Sequence, residues 1–239
     1  MPGHEARVRY VRLREGVLAG IVVAALSCVP APAQEPLPPD DRVAQVGAVA
    51  ISRADFDHWF ASASHSMFQR PMEFVAPGYE RCTAAKRKLR AKKGWSKLDE
   101  RELRARCARD HREVRRQAMQ FLVQSQWVEQ EAAARGVAVS EKHVRQTFKR
   151  QKRAAFPNER GYQRFLRESG ATEADILFRI RLDILQNRLT RHVTRNVAPA
   201  REQITLVRFI EGFRKRYRAM TWCAAGYVIA ECGAIAPPS

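Results

Sequence analysis

The stretch between Gly94 and Gly136 most constrains what this chain can fold into. Ser96 followed by Asp99 has the spacing of a capping box, and Gly136 supplies a C-terminal stop. One helix is therefore expected from Ser96 to Arg135. Roughly 38 residues at 1.5 Å each make a rod of about 57 Å, which is long for a globular helix. Its second half carries Met119, Phe121, Leu122, Val123, Trp127 and Val128, and is apolar enough to enter a core. Its first half is thinly apolar and highly charged, and is expected to project as a solvated arm.

A second helix precedes the first. Cys82 lies 12 residues before Gly94 and Cys107 lies 13 after it. A helical hairpin turning at Gly94 sets these two cysteines opposite each other. The segment from Tyr79 to Ala118 holds fifteen Lys and Arg against six Asp and Glu, so it carries nine of the formal net charge of +18. Such an excess implies an anionic partner, although a charge run more often serves as a solvated helix face.

The N-terminus bears on the compartment. Arg7, Arg9, Arg12 and Arg14 precede the apolar run VLAGIVVAAL at 17–26, and Ala31-Pro32-Ala33 follows. These are the three regions of a secretory signal peptide, spanning 1–33 and cleaved near Ala33. An apolar run of about ten residues is short of the roughly 20 that cross a bilayer. Ala25-Leu26-Ser27-Cys28 loosely resembles a lipobox, so lipidation of Cys28 is the alternative to a small residue near the cleavage site. QEPLPPDD opens a Pro-rich linker at 34–42. Export places the chain outside the cytoplasm and disfavours nucleic acid as the anion.

Removal of the signal peptide leaves Cys82, Cys107, Cys223 and Cys232. An even number in an oxidising compartment favours two disulfides, with three connectivities open. The local pairs Cys82–Cys107 and Cys223–Cys232 are favoured. Zinc is disfavoured because no Cys-x-x-Cys spacing occurs. No metal or cofactor is expected.

Around this scaffold the remaining elements are short. Val43 to Ile51 reads as a strand or hairpin. Ser52 with Asp55 caps a helix bearing Phe56, Trp59 and Phe60. Ser140 caps a helix with Val144 and Phe148, and a short helix with Tyr162, Phe165 and Leu166 closes at Gly170. Thr172 with Asp175 caps the next. A last helix carries Ile204, Val207, Ile210, Phe213 and Tyr217, and Trp222 to Cys232 reads as a small hairpin clipped by its cysteines.

Three stretches, at 43–60, 121–157 and 162–189, give the order a strand into an "Is…F" helix, a long helix ending "A…GVAVS", then "F…FL…G.T..D…R…L". In this the chain resembles the N-terminal chaperone domain of the SurA/PrsA-type extracytoplasmic foldases. The resemblance implies a mainly α fold: a SurA-N-like helical bundle with a long basic helical hairpin, a short N-terminal β element and a small C-terminal disulfide-clipped hairpin. It implies a chaperone domain over 43–200 with a basic insertion at 78–118, as in actinobacterial members. A C-terminal helix and tail over 201–239 would pack back onto that domain. The parvulin-type peptidyl-prolyl isomerase module of such foldases has no counterpart between Asn196 and Ile204, so no enzyme activity is expected.

The resemblance implies an exported holdase for unfolded or newly secreted polypeptides. Phe56, Trp59, Phe60, Phe121, Trp127, Phe148 and Phe165 are the candidate peptide-binding residues, although any one of them is better read as core. One alternative is an envelope module that binds anionic cell wall or lipid headgroups through the basic arm. Another is a peptidyl-prolyl isomerase by family label only. His58, His65, His111, His143 and His192 fall on helices without triad or metal spacing.

Overall fold

The computed structural model describes residues 41–68, 72–94 and 98–233. The signal-peptide reading, Cys28, nearly all of the Pro-rich linker, and Ser96 lie outside them.

A β-hairpin opens the described chain. β1 (Arg42–Val46) and β2 (Val49–Ser52) pair antiparallel. Gly47 sits at φ +55°, the positive value that the first loop position of a type II′ turn requires. β2 feeds α1 (Arg53–Phe68) through the expected cap. The Asp55 N–H donates to Ser52 Oγ at 3.0 Å, and the Ser52 N–H donates to Asp55 Oδ2 at 3.3 Å.

α2 (Glu80–Lys92) and α3 (Glu100–Ala134) form the hairpin around Gly94. The N-cap of α3 is Asp99, whose side chain accepts from Glu102 N–H at 2.6 Å. The rod therefore starts beyond the Ser96 start read from the sequence: the carboxylate at 99 reaches the free N–H three residues on. Its far end is a Schellman motif, with Val137 N–H donating to Ala132 O, Gly136 N–H donating to Ala133 O, and Gly136 at φ +65°. At 35 residues the helix is about 52 Å long.

α4 (Glu141–Ala155), α5 (Glu159–Ser169) and α6 (Glu173–Thr194) follow, capped by Ser140, Asn158 and Thr172. α7 (Pro199–Ala219) has Pro at its first position, where a missing N–H costs nothing.

α3 is the spine of the described chain and contributes to all three apolar clusters among the described residues. Its middle packs Met119, Val123 and Trp127 against the hairpin, Phe56, Trp59 and Tyr217. Its last turns pack Val128 and Ala132 against Phe148, Tyr162, Leu185 and Leu189. Its first half joins Cys107 to Cys82 and Met72. The arm is thus not solvated all round: Leu103, Cys107 and Val114 are buried along one side because α2 and α1 cover them.

The two disulfides join Cys82 to Cys107 and Cys223 to Cys232. The tail departs from a self-paired hairpin. Its strand β3 (Thr221–Cys223) pairs antiparallel with β1, giving the sheet order β2-β1-β3. The disulfide then clips the loop that follows. The open edge of β1 offered unpaired backbone groups, and β3 satisfies them.

Candidate functional site

α7 is docked at one end. Tyr217 is its buried residue, while Leu206, Phe209 and Phe213 are half-buried. Ile204, Val207 and Ile210 are 52%, 47% and 43% exposed, an apolar row at i, i+3 and i+6. A globular helix normally turns such a row inward.

Beside this row lies a groove of about 370 Å³. Trp127 and Val128 of α3, Leu189 of α6, and Phe209, Ile210 and Phe213 of α7 form its apolar lining. The aromatic wall is layered: Phe209 stacks on Phe213 at 5.8 Å between centroids, and Phe213 meets Trp127 edge-on at 5.9 Å. Gln124 and Gln186 stand at one end and are shared with a second depression of about 220 Å³. That depression continues along α3 and α6 past Phe121, Ser125, Arg179 and Asp183. The combined trough has an apolar end and an amide- and charge-bearing end. Such a lining takes an apolar side chain in one half and offers hydrogen bonds to a peptide backbone in the other.

A buried ion cluster sets the position of α7. Glu131 of α3 is 2% exposed and accepts from Arg135 at 2.5 Å and from Arg216 of α7 at 2.5 Å. Burial alone would raise its carboxyl, but the Arg135 hydrogen bond and the Arg216 charge outweigh it and hold the group below its ordinary value. Burial and the Glu131 carboxylate push the Tyr217 phenol up to about 12. Arg135 also lies 4.9 Å from the centre of the Phe209 ring. The cluster therefore supports the groove wall from behind.

The C-terminal return holds the same end. Trp127 Nε1 donates to Thr221 Oγ1 at 2.8 Å, and Thr221 Oγ1 donates to Tyr217 O at 2.8 Å. Gln120 and Gln124 both donate to Glu231 Oε1.

The seven aromatic candidates do not share one cleft. Phe56, Trp59 and Trp127 are buried in the cluster beneath the hairpin, with Phe60 and Phe121 packed against it. Phe148 is buried in the other cluster, and Phe165 is 39% exposed beside Phe156. Trp127 alone of the seven lines the α7 groove, and Phe121 lines the depression next to it. The physical reason is coverage: aromatics at helical spacing face the neighbouring helix, so their rings fill seams. Phe209, Ile210 and Phe213 complete the groove. Their signal in the sequence was the width of the apolar arc on α7, broader than one packed face needs.

Three of the histidines have local partners. His58 Nε2 bonds Asp175 at 2.7 Å, His65 bonds the Glu168 carbonyl, and His111 stacks on Phe74. Burial, then Arg115 and Arg112, lower His111. Among the described residues no three His, Cys, Asp or Glu side chains gather as a metal site.

Residues 16–190 match the family model of the SurA-like N-terminal domain. The matched stretch includes the α3 and α6 walls of the groove, and α7 follows it. No curated protein and no solved structure matches the chain.

Proposed function

Because the chain belongs to the SurA-like N-terminal domain family, we propose that it is a non-catalytic chaperone, a holdase that captures unfolded or newly exported polypeptide in the groove between α3, α6 and α7. The observation that carries this reading is the exposed row Ile204, Val207 and Ile210 running beside an aromatic-walled trough. Apolar surface of this kind on a folded chain marks a place for another apolar surface. Reversible capture of apolar segments removes aggregation-prone surface from solution and requires no reacting side chain.

An extracytoplasmic setting fits this role. Two disulfides persist in an oxidising compartment, and the N-terminal arginines with their apolar run have the form of an export signal. The test is light scattering by an unfolding client with and without the chain. Suppression at modest excess is expected, and none at large excess ends the holdase reading. A prolyl-isomerisation assay on a short peptide is expected to stay blank, and turnover would remove the non-catalytic part alone.

A further inference from the structure

The ion pairs of the α2–α3 arm show where its surplus charge resides. Asp110 is taken by Lys86 across the two helices at 2.5 Å, Glu100 by Arg87 and Arg104, and Glu113 by Arg116 at 2.6 Å. Asp99 is occupied in capping α3. Arg101, Arg109 and Arg112 are exposed and form no ion pair among the described residues. At about 100° per residue, these three and Arg116 fall within roughly 80° of one another around the α3 axis. Leu103, Cys107 and Val114 lie on the opposite, buried side. Those acids are thus engaged within the arm, and Glu102 is left as an exposed acid without an ion pair among the described residues. The unpaired guanidiniums from Arg101 to Arg112 form an outward line about 16 Å long that Arg116 extends.

The line ends at a change of chemistry. Arg112, Arg115 and Arg116 line a depression of about 350 Å³ together with Met119, Tyr227 and Val228. Val228 is 69% exposed, the most exposed large apolar side chain described. Arg115 lies 4.7 Å from the Tyr227 ring centre and donates to Gly226 O at 2.6 Å, so the loop bearing Val228 is fastened to the basic face.

We infer that this face of α3 docks on an anionic phospholipid bilayer. A stiff row of guanidiniums matches a plane of phosphates, which each guanidinium can bind through two N–H groups. Attraction to an anionic leaflet grows with each cation near the surface and fades within a screening length. The apolar ledge at Val228 favours a bilayer over a soluble polyanion, because only the bilayer offers an apolar layer beneath its charges. The face lies apart from the α7 groove, so client capture and membrane docking fail independently.

The experiment is sedimentation of the full chain with vesicles of phosphatidylcholine alone or mixed with phosphatidylglycerol. The apolar run at 17–26 can associate with both, so the readout is the preference for the anionic vesicles. That preference is expected to be about tenfold or more at low salt. It is expected to vanish near ~1 M salt, where the screening length is about 3 Å. The triple exchange Arg101→Gln, Arg109→Gln, Arg112→Gln should abolish it, whereas Arg145→Gln, Arg150→Gln, Arg153→Gln on α4 should preserve it. Arg109→Glu alone should lower it severalfold, and serves if the triple variant unfolds. Absence of the preference overturns the inference, as does its survival in the α3 variants or equal loss in the α4 variant. Binding to soluble polyphosphate without preference for the anionic vesicles overturns it as well.

Discussion

Glu131 and Arg216, 85 residues apart in sequence, meet at 2.5 Å across the seam between α3 and α7, where the carboxylate side chain is 3% exposed. The carboxylate is shared with Arg135 on its own helix. One buried charge therefore fixes the docked end of α7, and the groove wall depends on that end staying in place.

Removing one partner leaves the other charge poorly compensated. Arg216→Met is expected to destabilise by about 1–2 kcal/mol, below the 3–5 typical of fully buried pairs because the arginine side chain is half exposed. Glu131→Leu combined with Arg216→Met should recover part of that loss, since neither change then strands a charge opposite the other. Urea unfolding midpoints of the three variants check both statements.

The same cluster gives a pH dependence. The folded Glu131 carboxyl is held below its ordinary value of 4.5. Its contribution is therefore complete above that value and is lost as pH falls through the lower folded one. Wild-type stability should drop on acidification below pH 4.5 more steeply than that of Glu131→Gln, measured by urea unfolding across the acid range.

Cys82 and Cys107 close a loop of 25 residues by sequence separation. Replacing both by Ala should lower stability by about 3 kcal/mol. Hydrogen exchange should rise over α2 and the first turns of α3, while the cluster around Tyr162 and Leu185 keeps its protection.

Position separates groove from core on α7 and α1. Ile210→Asp, on a side chain 43% exposed, should weaken client capture by about tenfold with little change in melting temperature. Phe56→Ala, at a residue 2% exposed, should cost about 3–5 kcal/mol of stability. Parallel light-scattering and thermal-unfolding series distinguish the two.

Thr221 is fully buried and links Trp127 to Tyr217. Thr221→Val keeps the shape but strands the indole N–H, so a cost of about 1–3 kcal/mol is expected, read from thermal unfolding.

Much of the fold was legible because its signals are local. The caps at Ser52, Ser140 and Thr172 span three residues, and the stop at Gly136 needs only a positive φ at one position. The pairing of Cys82 with Cys107 followed from their symmetry about Gly94. The candidate site was less legible. A ring at helical spacing has the same signature whether it fills a seam, as Phe148 does, or borders open space, as Phe213 does. Which of these happens depends on the neighbour that arrives later in the chain.

The sequence by itself determined the long α3 rod, the hairpin that folds against its first half, and the surplus of cations on that arm. Each rests on contacts within a few turns or on composition alone. Only the tertiary structure decided that β3 pairs with β1, that Glu131 receives Arg216, and that α7 leaves Ile204, Val207 and Ile210 uncovered. Those outcomes depend on segments far apart in the chain competing to bury the same edge, charge and apolar face, and burial is settled only when all of them are in place.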